Sequence, residues 1–143
     1  VRVQEFCKQH KFAGVMSCHT TGRIYLYPSL CTPHDKQKHI ELANQMAKMS
    51  GYRVGPISNS DAGYEIDWYY WKGGSVSILT ELAVGSHEQP SKNIPVEANA
   101  NYKAFLWFIK TAPEISLTNK ALPAKNKSSG SQNYSTCKSC RRK

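Results

Sequence analysis

The chain has 143 residues, 40% of them hydrophobic, which is enough for one domain with a buried core. No stretch approaches the roughly 18 apolar residues of a membrane-spanning helix, so the sequence excludes one. The formal net charge of +9 is concentrated in residues 111–143, which hold seven Lys and Arg against one Glu and leave only +3 for the first 110 residues. That balance is ordinary for a globular surface, and we expect no nucleic-acid binding in the folded part.

The N-terminal third predicts a helix followed by two strands. Residues at helical spacing are Val3, Phe6, Cys7 and His10. The apolar run 12–18 is typical of a strand buried on both faces, as in parallel sheets, and this strand ends at His19. Residues 23–27 alternate in polarity and stop at Pro28, which predicts a second short strand.

The sequence after Cys31 predicts an amphipathic helix. Thr32 supplies a hydroxyl N-cap, Pro33 takes the first helical position, and Gly51 provides the stop. The apolar stripe consists of Ile40, Leu42, Ala43, Met46, Ala47 and Met49. His34 and His39 are five residues apart and do not share a helix face, so we predict that both are surface residues.

The second half predicts a loop, a strand and a long helix before the tail. Residues 55–63 are rich in turn formers, 64–72 are rich in aromatics, and 75–82 predict a strand with Glu81 near its end. Pro95 begins a helix with the apolar stripe Ala98, Tyr102, Phe105, Leu106 and Ile109. We predict one α/β domain over residues 1–110, with helices flanking a mixed, largely parallel sheet, and a basic, disordered tail over 111–143.

Two polar residues lie where predicted buried strands end. His19 follows the first strand, and Glu81 is near the end of the strand over 75–82. In open α/β sheets, functional side chains collect at the carboxyl ends of strands. Placement of this kind is weak evidence alone, because a single strand-end His or Glu is more often a surface or hydrogen-bonded residue.

The sequences around these residues resemble the M14 family of zinc metallocarboxypeptidases. The segment His19-Thr20-Thr21-Gly22-Arg23-Ile24-Tyr25-Leu26-Tyr27-Pro28 is similar to the family segment in which a zinc-binding His ends a strand and Tyr-Pro follows. Ile66-Asp67-Trp68-Tyr69-Tyr70, a Gly pair and the strand to Leu82 resemble the block that delivers the catalytic Glu. The resemblance covers residues 1–110.

The resemblance implies a peptidase that removes C-terminal residues. His19 is then a ligand of one Zn²⁺ ion and Glu81 the catalytic acid and base, acting on a peptide with a free C-terminal carboxylate. The resemblance also implies substrate-binding roles for Ile66, Tyr64 and Thr20. Ile66 occupies a pocket-lining position of the family, although a plain core residue is an equal alternative. An extracellular location is slightly favoured on the same grounds.

The chain departs from the family because none of its five histidines begins the His-x-x-Glu motif that supplies the first two zinc ligands. The family domain is also about twice as long as this chain. We therefore expect a C-terminal half that is inactive alone. The alternative is a non-catalytic binding module whose basic tail contacts an acidic partner.

The five cysteines leave the redox compartment open, since an odd number cannot all pair. Cys137 and Cys140 form a lone Cys-x-x-Cys, for which an unstructured basic end is the favoured interpretation.

Overall fold

The structure is a computed structural model that describes residues 2–58, 64–88 and 90–118. Its helices are α1 (Arg2–Gln9), α2 (Pro33–Ser50), α3 (Glu65–Trp68) and α4 (Ile94–Thr111). Its strands are β1 (Gly14–Thr20), β2 (Ile24–Tyr27), β3 (Arg53–Pro56) and β4 (Val76–Leu82). A π-helical turn, Tyr69–Gly73, continues α3, and 3₁₀ turns flank α4 at Ser91–Asn93 and Ala112–Glu114. None of the described helices is long and apolar enough to cross a membrane.

The four strands form one mixed sheet in the order β1-β4-β2-β3. β1 runs parallel to β4, and β2 runs parallel to β3, while β2 and β4 are antiparallel. Together with the flanking helices, this confirms the predicted α/β class with a mixed sheet. β1 and β3 are the edge strands of the described sheet, and β4 lies inside it.

The main core lies between one face of the sheet and the helices α2 and α4. Its fully buried residues include Tyr25, Ala43, Met46, Ile78 and Ala104. A smaller cluster of Ile57, Ile66 and Leu79 lies apart from it. Leu79 and Ile78 are neighbours in β4, and successive strand residues point to opposite faces. The small cluster therefore lies on the other face of the sheet.

Helix α2 begins and ends as the sequence predicts. The Thr32 side chain accepts a hydrogen bond from the Asp35 backbone N–H at 3.3 Å, and Pro33 occupies the first turn. Gly51 closes the helix in the left-handed region at φ 76°, and its N–H donates to the Ala47 carbonyl. This conformation favours glycine because it has no Cβ.

The predicted buried stripe of α4 is wrong. The residues that α4 buries are Glu97, Asn101, Ala104 and Phe108. Tyr102 and Ile109 of the predicted stripe are about two-thirds exposed, at 64% and 65%. The helix carries apolar residues on two faces, and periodicity alone does not say which face the sheet covers.

His39 is a second correction, since it is completely buried rather than on the surface. Its Nδ1–H donates to the Asp35 carbonyl at 2.8 Å, and its Nε2 accepts from the Ser77 backbone N–H at 3.2 Å. β2 pairs with β4 only over Leu79–Glu81, so Ser77 lies beyond that pairing. The His39 imidazole therefore accepts the hydrogen bond from the Ser77 N–H in place of a β2 carbonyl group.

Residues beyond 110, the predicted end of the domain, contribute to the main core. Ala112 is buried, and Ile115 and Leu117 pack against the main core. A Cβ on Gly14 would come within 2.6 Å of the Ala112 Cβ, so glycine lets β1 approach this turn closely. The rest of the predicted tail, including Cys137 and Cys140, lies outside the described residues.

Candidate functional site

The structure brings His19 and Glu81 together on neighbouring strands. They are direct partners in the parallel pairing of β1 and β4, and paired residues of adjacent strands point to the same face. Neighbouring strands lie about 4.8 Å apart. His19 and Glu81 are therefore neighbours in the sheet, and their chemical roles stay predictions.

The orientation of the His19 ring is fixed through its Nε2 atom. Nε2 lies 2.8 Å from Oε1 of Glu65 and 3.1 Å from Oγ of Ser17. The Ser17 hydroxyl donates to the same Glu65 oxygen at 2.6 Å. A carboxylate only accepts hydrogen bonds, so Nε2 carries the proton in the neutral ring, and the lone pair is on Nδ1.

The Glu65 carboxylate is suited to accept the hydrogen bond from the His19 Nε2–H group. Burial raises the pKa of Glu65, but hydrogen bonds from Ser17 and its own backbone N–H, with the nearby His19, bring the pKa below its usual value. Metal-binding histidines commonly donate their second ring N–H to a carboxylate. The arrangement around His19 has this form.

The Ser17, His19 and Glu65 side chains do not form a nucleophilic triad. In a triad, one ring nitrogen faces the hydroxyl and the other faces the carboxylate. Here Nε2 faces both groups. The cluster orients the imidazole and does not activate the serine.

One carboxylate oxygen of Glu81 accepts no hydrogen bond from the described residues. Its Oε2 atom is buried, and within the described part of the chain it has no hydrogen-bond partner. A buried carboxylate oxygen without a partner carries a desolvation cost. This oxygen is therefore available to a group that the described residues do not supply.

The described residues do not fit a zinc ion by themselves. Catalytic zinc generally takes three protein ligands. Within residues 2–58, 64–88 and 90–118, no group of three His, Cys, Asp or Glu side chains could hold a metal ion. Any zinc site that uses His19 needs ligands from elsewhere.

The three predicted substrate-binding residues lie in different surroundings. Ile66 is fully buried against Ile57 and Leu79 in the small cluster, and Tyr64 packs on that cluster as the residue preceding α3. Thr20 follows His19 in β1 and so points to the opposite face. Its hydroxyl donates to the His87 carbonyl at 3.1 Å. The structure does not gather these three side chains around His19.

Sequence reasoning missed Glu65 and Ser17. Ser17 lies two residues before His19, so it shares a face with His19 in any β-strand, and this signal was available. Glu65 was not identifiable, because its contact with His19 depends on how α3 packs across β1.

No protein-family model and no curated protein sequence matches the chain. Among solved structures, it resembles carboxypeptidase A from Helicoverpa armigera with a TM-score of 0.66 and 15% sequence identity. The alignment covers 78% of this chain and 33% of the carboxypeptidase, so the chain spans about a third of that protein. The described residues thus adopt a carboxypeptidase-like fold that corresponds to part of a larger domain.

Proposed function

We propose that this chain is the C-terminal part of the catalytic domain of a zinc-dependent metallocarboxypeptidase, which hydrolyses peptides at their C-terminal residues. The observation that carries the proposal is the pairing of His19 with Glu81 at the carboxyl ends of β1 and β4. It is supported by the likeness in fold to a carboxypeptidase A. In this proposal, the other metal ligands come from residues outside this chain.

The two side chains have complementary chemistry for peptide hydrolysis. The His19 Nδ1 lone pair is suited to a metal, because Nε2 is held by Glu65 and Ser17. The unpartnered Oε2 of Glu81 is suited to accept a proton from an attacking water, and the resulting acid can protonate the leaving amine. Zinc, when bound, would polarise the scissile carbonyl.

Two exposed surfaces favour a larger protein around this chain. β1 has no strand on its outer edge among the residues described. Beside it, the exposed apolar side of α4 lines a groove of about 450 Å³ with Thr20 and Leu82. Apolar surface next to an unpaired strand edge is typically covered by further protein.

The isolated chain tests the metal part of this proposal. We expect no hydrolysis of a peptide with a free C-terminal carboxylate and no stoichiometric zinc after dialysis, because one histidine cannot hold the ion in a catalytic geometry. Turnover by this chain that a chelator abolishes would contradict the need for ligands from elsewhere.

The coding sequence upstream of Val1 tests the larger assignment. An in-frame segment with His-x-x-Glu followed by arginines supports the enzyme, and a stop codon or an unrelated domain supports a non-catalytic module.

In the longer protein, we expect Glu81→Gln to lower kcat/KM by at least about 10³-fold and to leave one zinc per chain, because the amide cannot accept the proton. Full activity of this variant would remove Glu81 from the mechanism.

A further inference from the structure

A second cleft lies between the first turn of α1 and the segment 64–72. Its volume is about 490 Å³. The aromatic side chains that line it are Tyr64, Trp68, Tyr69 and Trp71. Val3 and Gln4 of α1 form the opposite wall. The carboxypeptidase proposal uses one residue of its lining, Glu65, to orient His19 and gives the aromatic side chains no role.

Core packing explains only one of the four consecutive aromatic residues 68–71. Tyr70 is fully buried, and its hydroxyl donates to Oδ2 of Asp35 at 2.8 Å. Trp68, Tyr69 and Trp71 are only partly buried. Partly exposed aromatic clusters commonly mark binding sites, and π-helical turns such as Tyr69–Gly73 occur frequently at functional sites.

The aromatic rings form a corner rather than a flat platform. The Trp68 and Tyr69 rings lie 5.4 Å apart between centroids, with an interplanar angle of 79°. A flat ligand such as a sugar ring stacks on one extended aromatic face. A corner of two rings instead surrounds a compact, rounded group.

The cleft carries negative charge beside the rings. Glu65 and Asp67 line it, and its one basic residue, Lys72, is exposed to solvent. Both hydrogen bonds from Ser17 and His19 go to Oε1 of Glu65. Oδ1 of Asp67 is buried and has no hydrogen-bond partner within the described ranges.

We propose that this cleft binds an organic cation of the quaternary or methylated ammonium class. Such a group is rounded and apolar on its surface, yet it carries a full positive charge. It gains cation–π attraction from aromatic faces and Coulomb attraction from the nearby carboxylates. The site goes beyond the proposed peptidase activity, since none of its rings contacts His19 or Glu81 in the contacts described above.

A titration with choline, followed by NMR, tests the site on the full chain at constant ionic strength. The chain has three tryptophans, and their indole N–H signals report separately. We expect saturable shifts for Trp68 and Trp71 and none for Trp107, which lines a different groove between α2 and α4. The neutral isostere 3,3-dimethylbutan-1-ol, which replaces the nitrogen with carbon, should bind at least about tenfold more weakly.

Tryptophan variants test which side chains contribute to choline binding. We expect Trp68→Leu to weaken choline binding at least about tenfold and the matched control Trp107→Leu to leave it unchanged, with folding checked by circular dichroism. If Trp68→Leu does not fold, Trp71→Leu replaces it, and the isostere comparison on the unaltered chain still decides. Equal affinity for the neutral isostere, preferential binding of a methyl glucoside or the absence of saturation would overturn the proposal.

Discussion

Thr80 carries a hydroxyl group that is buried in the core. The residue is fully buried in β4, opposite Cys18 and Tyr25, and within the described structure its Oγ1 has no hydrogen-bond partner. Burying an unpaired hydroxyl costs about 1–3 kcal/mol. Valine has the same shape without this polar group and favours strands.

We therefore expect Thr80→Val to stabilise the chain by about 1 kcal/mol, measured as a higher urea midpoint at unchanged m-value. Thr32→Val is the matched control. It removes the hydroxyl that caps α2, so it should destabilise the chain by about 1 kcal/mol. A Thr80→Val variant that is less stable than the parent would show that this hydroxyl has a partner.

His39 should make stability depend on pH. Burial lowers the pKa of His39 below its ordinary 6.5, although the Asp35 carbonyl and carboxylate oppose this. Below pH 6.5, the unfolded chain therefore binds more protons at this position than the folded chain. The contribution of the neutral His39 side chain to stability is therefore fully present above that pH. It is lost as the pH falls toward the pKa of His39 in the folded chain.

Urea unfolding at pH 7.5 and 5.5 measures this effect. We expect His39→Leu to be less stable at the higher pH by about 1–3 kcal/mol, because the Ser77 N–H loses its acceptor. Its stability should also fall less between the two pH values. The exposed His10→Gln is the control and should keep the slope of the parent. An unchanged slope in His39→Leu would exclude His39 as its source.

Helix α4 is tied to the sheet by a polar network around Glu97. Arg23 donates to Oε1 at 2.5 Å, the Ala83 N–H donates to Oε2 at 3.3 Å, and the Tyr52 hydroxyl also donates to Oε2. Near the next turn, Asn101 accepts a hydrogen bond from the Tyr25 hydroxyl at 2.7 Å. These contacts explain why α4 turns a polar face toward the sheet.

Glu97→Gln should destabilise the chain by about 1–3 kcal/mol, because one amide oxygen cannot replace two carboxylate oxygens for three donors. Burial raises the pKa of Glu97, but Arg23 and Tyr52 outweigh burial and bring it below its ordinary 4.5. The difference from the parent should therefore shrink as the pH falls below 4.5. Urea unfolding measures both effects, and a Glu97→Gln chain as stable as the parent at pH 7 would contradict them. The exposed Glu41→Gln is the control, expected within about 0.5 kcal/mol of the parent.

The elements that the sequence predicted best carry their own signals. α2 has a cap and a stop, and β4 contains the strand-forming residues Val76, Ile78 and Leu79. β3 was missed, because Gly55 and Pro56 weaken the strand pattern and its stability comes from pairing with β2. The burial of His39 and the contact of Glu65 with His19 depend on how distant elements pack. The local pattern of apolar and polar residues therefore does not predict such contacts.

At the scale of the whole molecule, the described fold leaves apolar surface beside an edge strand of the sheet. β1 is an edge of the sheet, and Tyr102, Leu106 and Ile109 are exposed on α4. Unpaired edges next to apolar surface promote association between chains. The isolated chain should therefore self-associate in a concentration-dependent manner.

Sedimentation velocity over a concentration series measures this association. We expect Tyr102→Lys combined with Ile109→Lys to shift the distribution toward the monomer with little change in unfolding free energy, because both side chains are largely exposed. Leu30→Lys, at another exposed apolar position, is the control and should leave association unchanged. A parent chain that is monomeric throughout would contradict the prediction.

The pairing of β1 with β4 has a consequence for the order of folding. Gly14 pairs with Val76, so the chain must close a loop that contains β2, α2, β3 and α3 before these strands meet. β2, α2 and β3 follow one another directly, and their contacts need much shorter loops. Because closing long loops costs entropy early in folding, contacts between distant segments tend to form late. His19 and Glu81 would then become neighbours only after the scaffold between them is assembled.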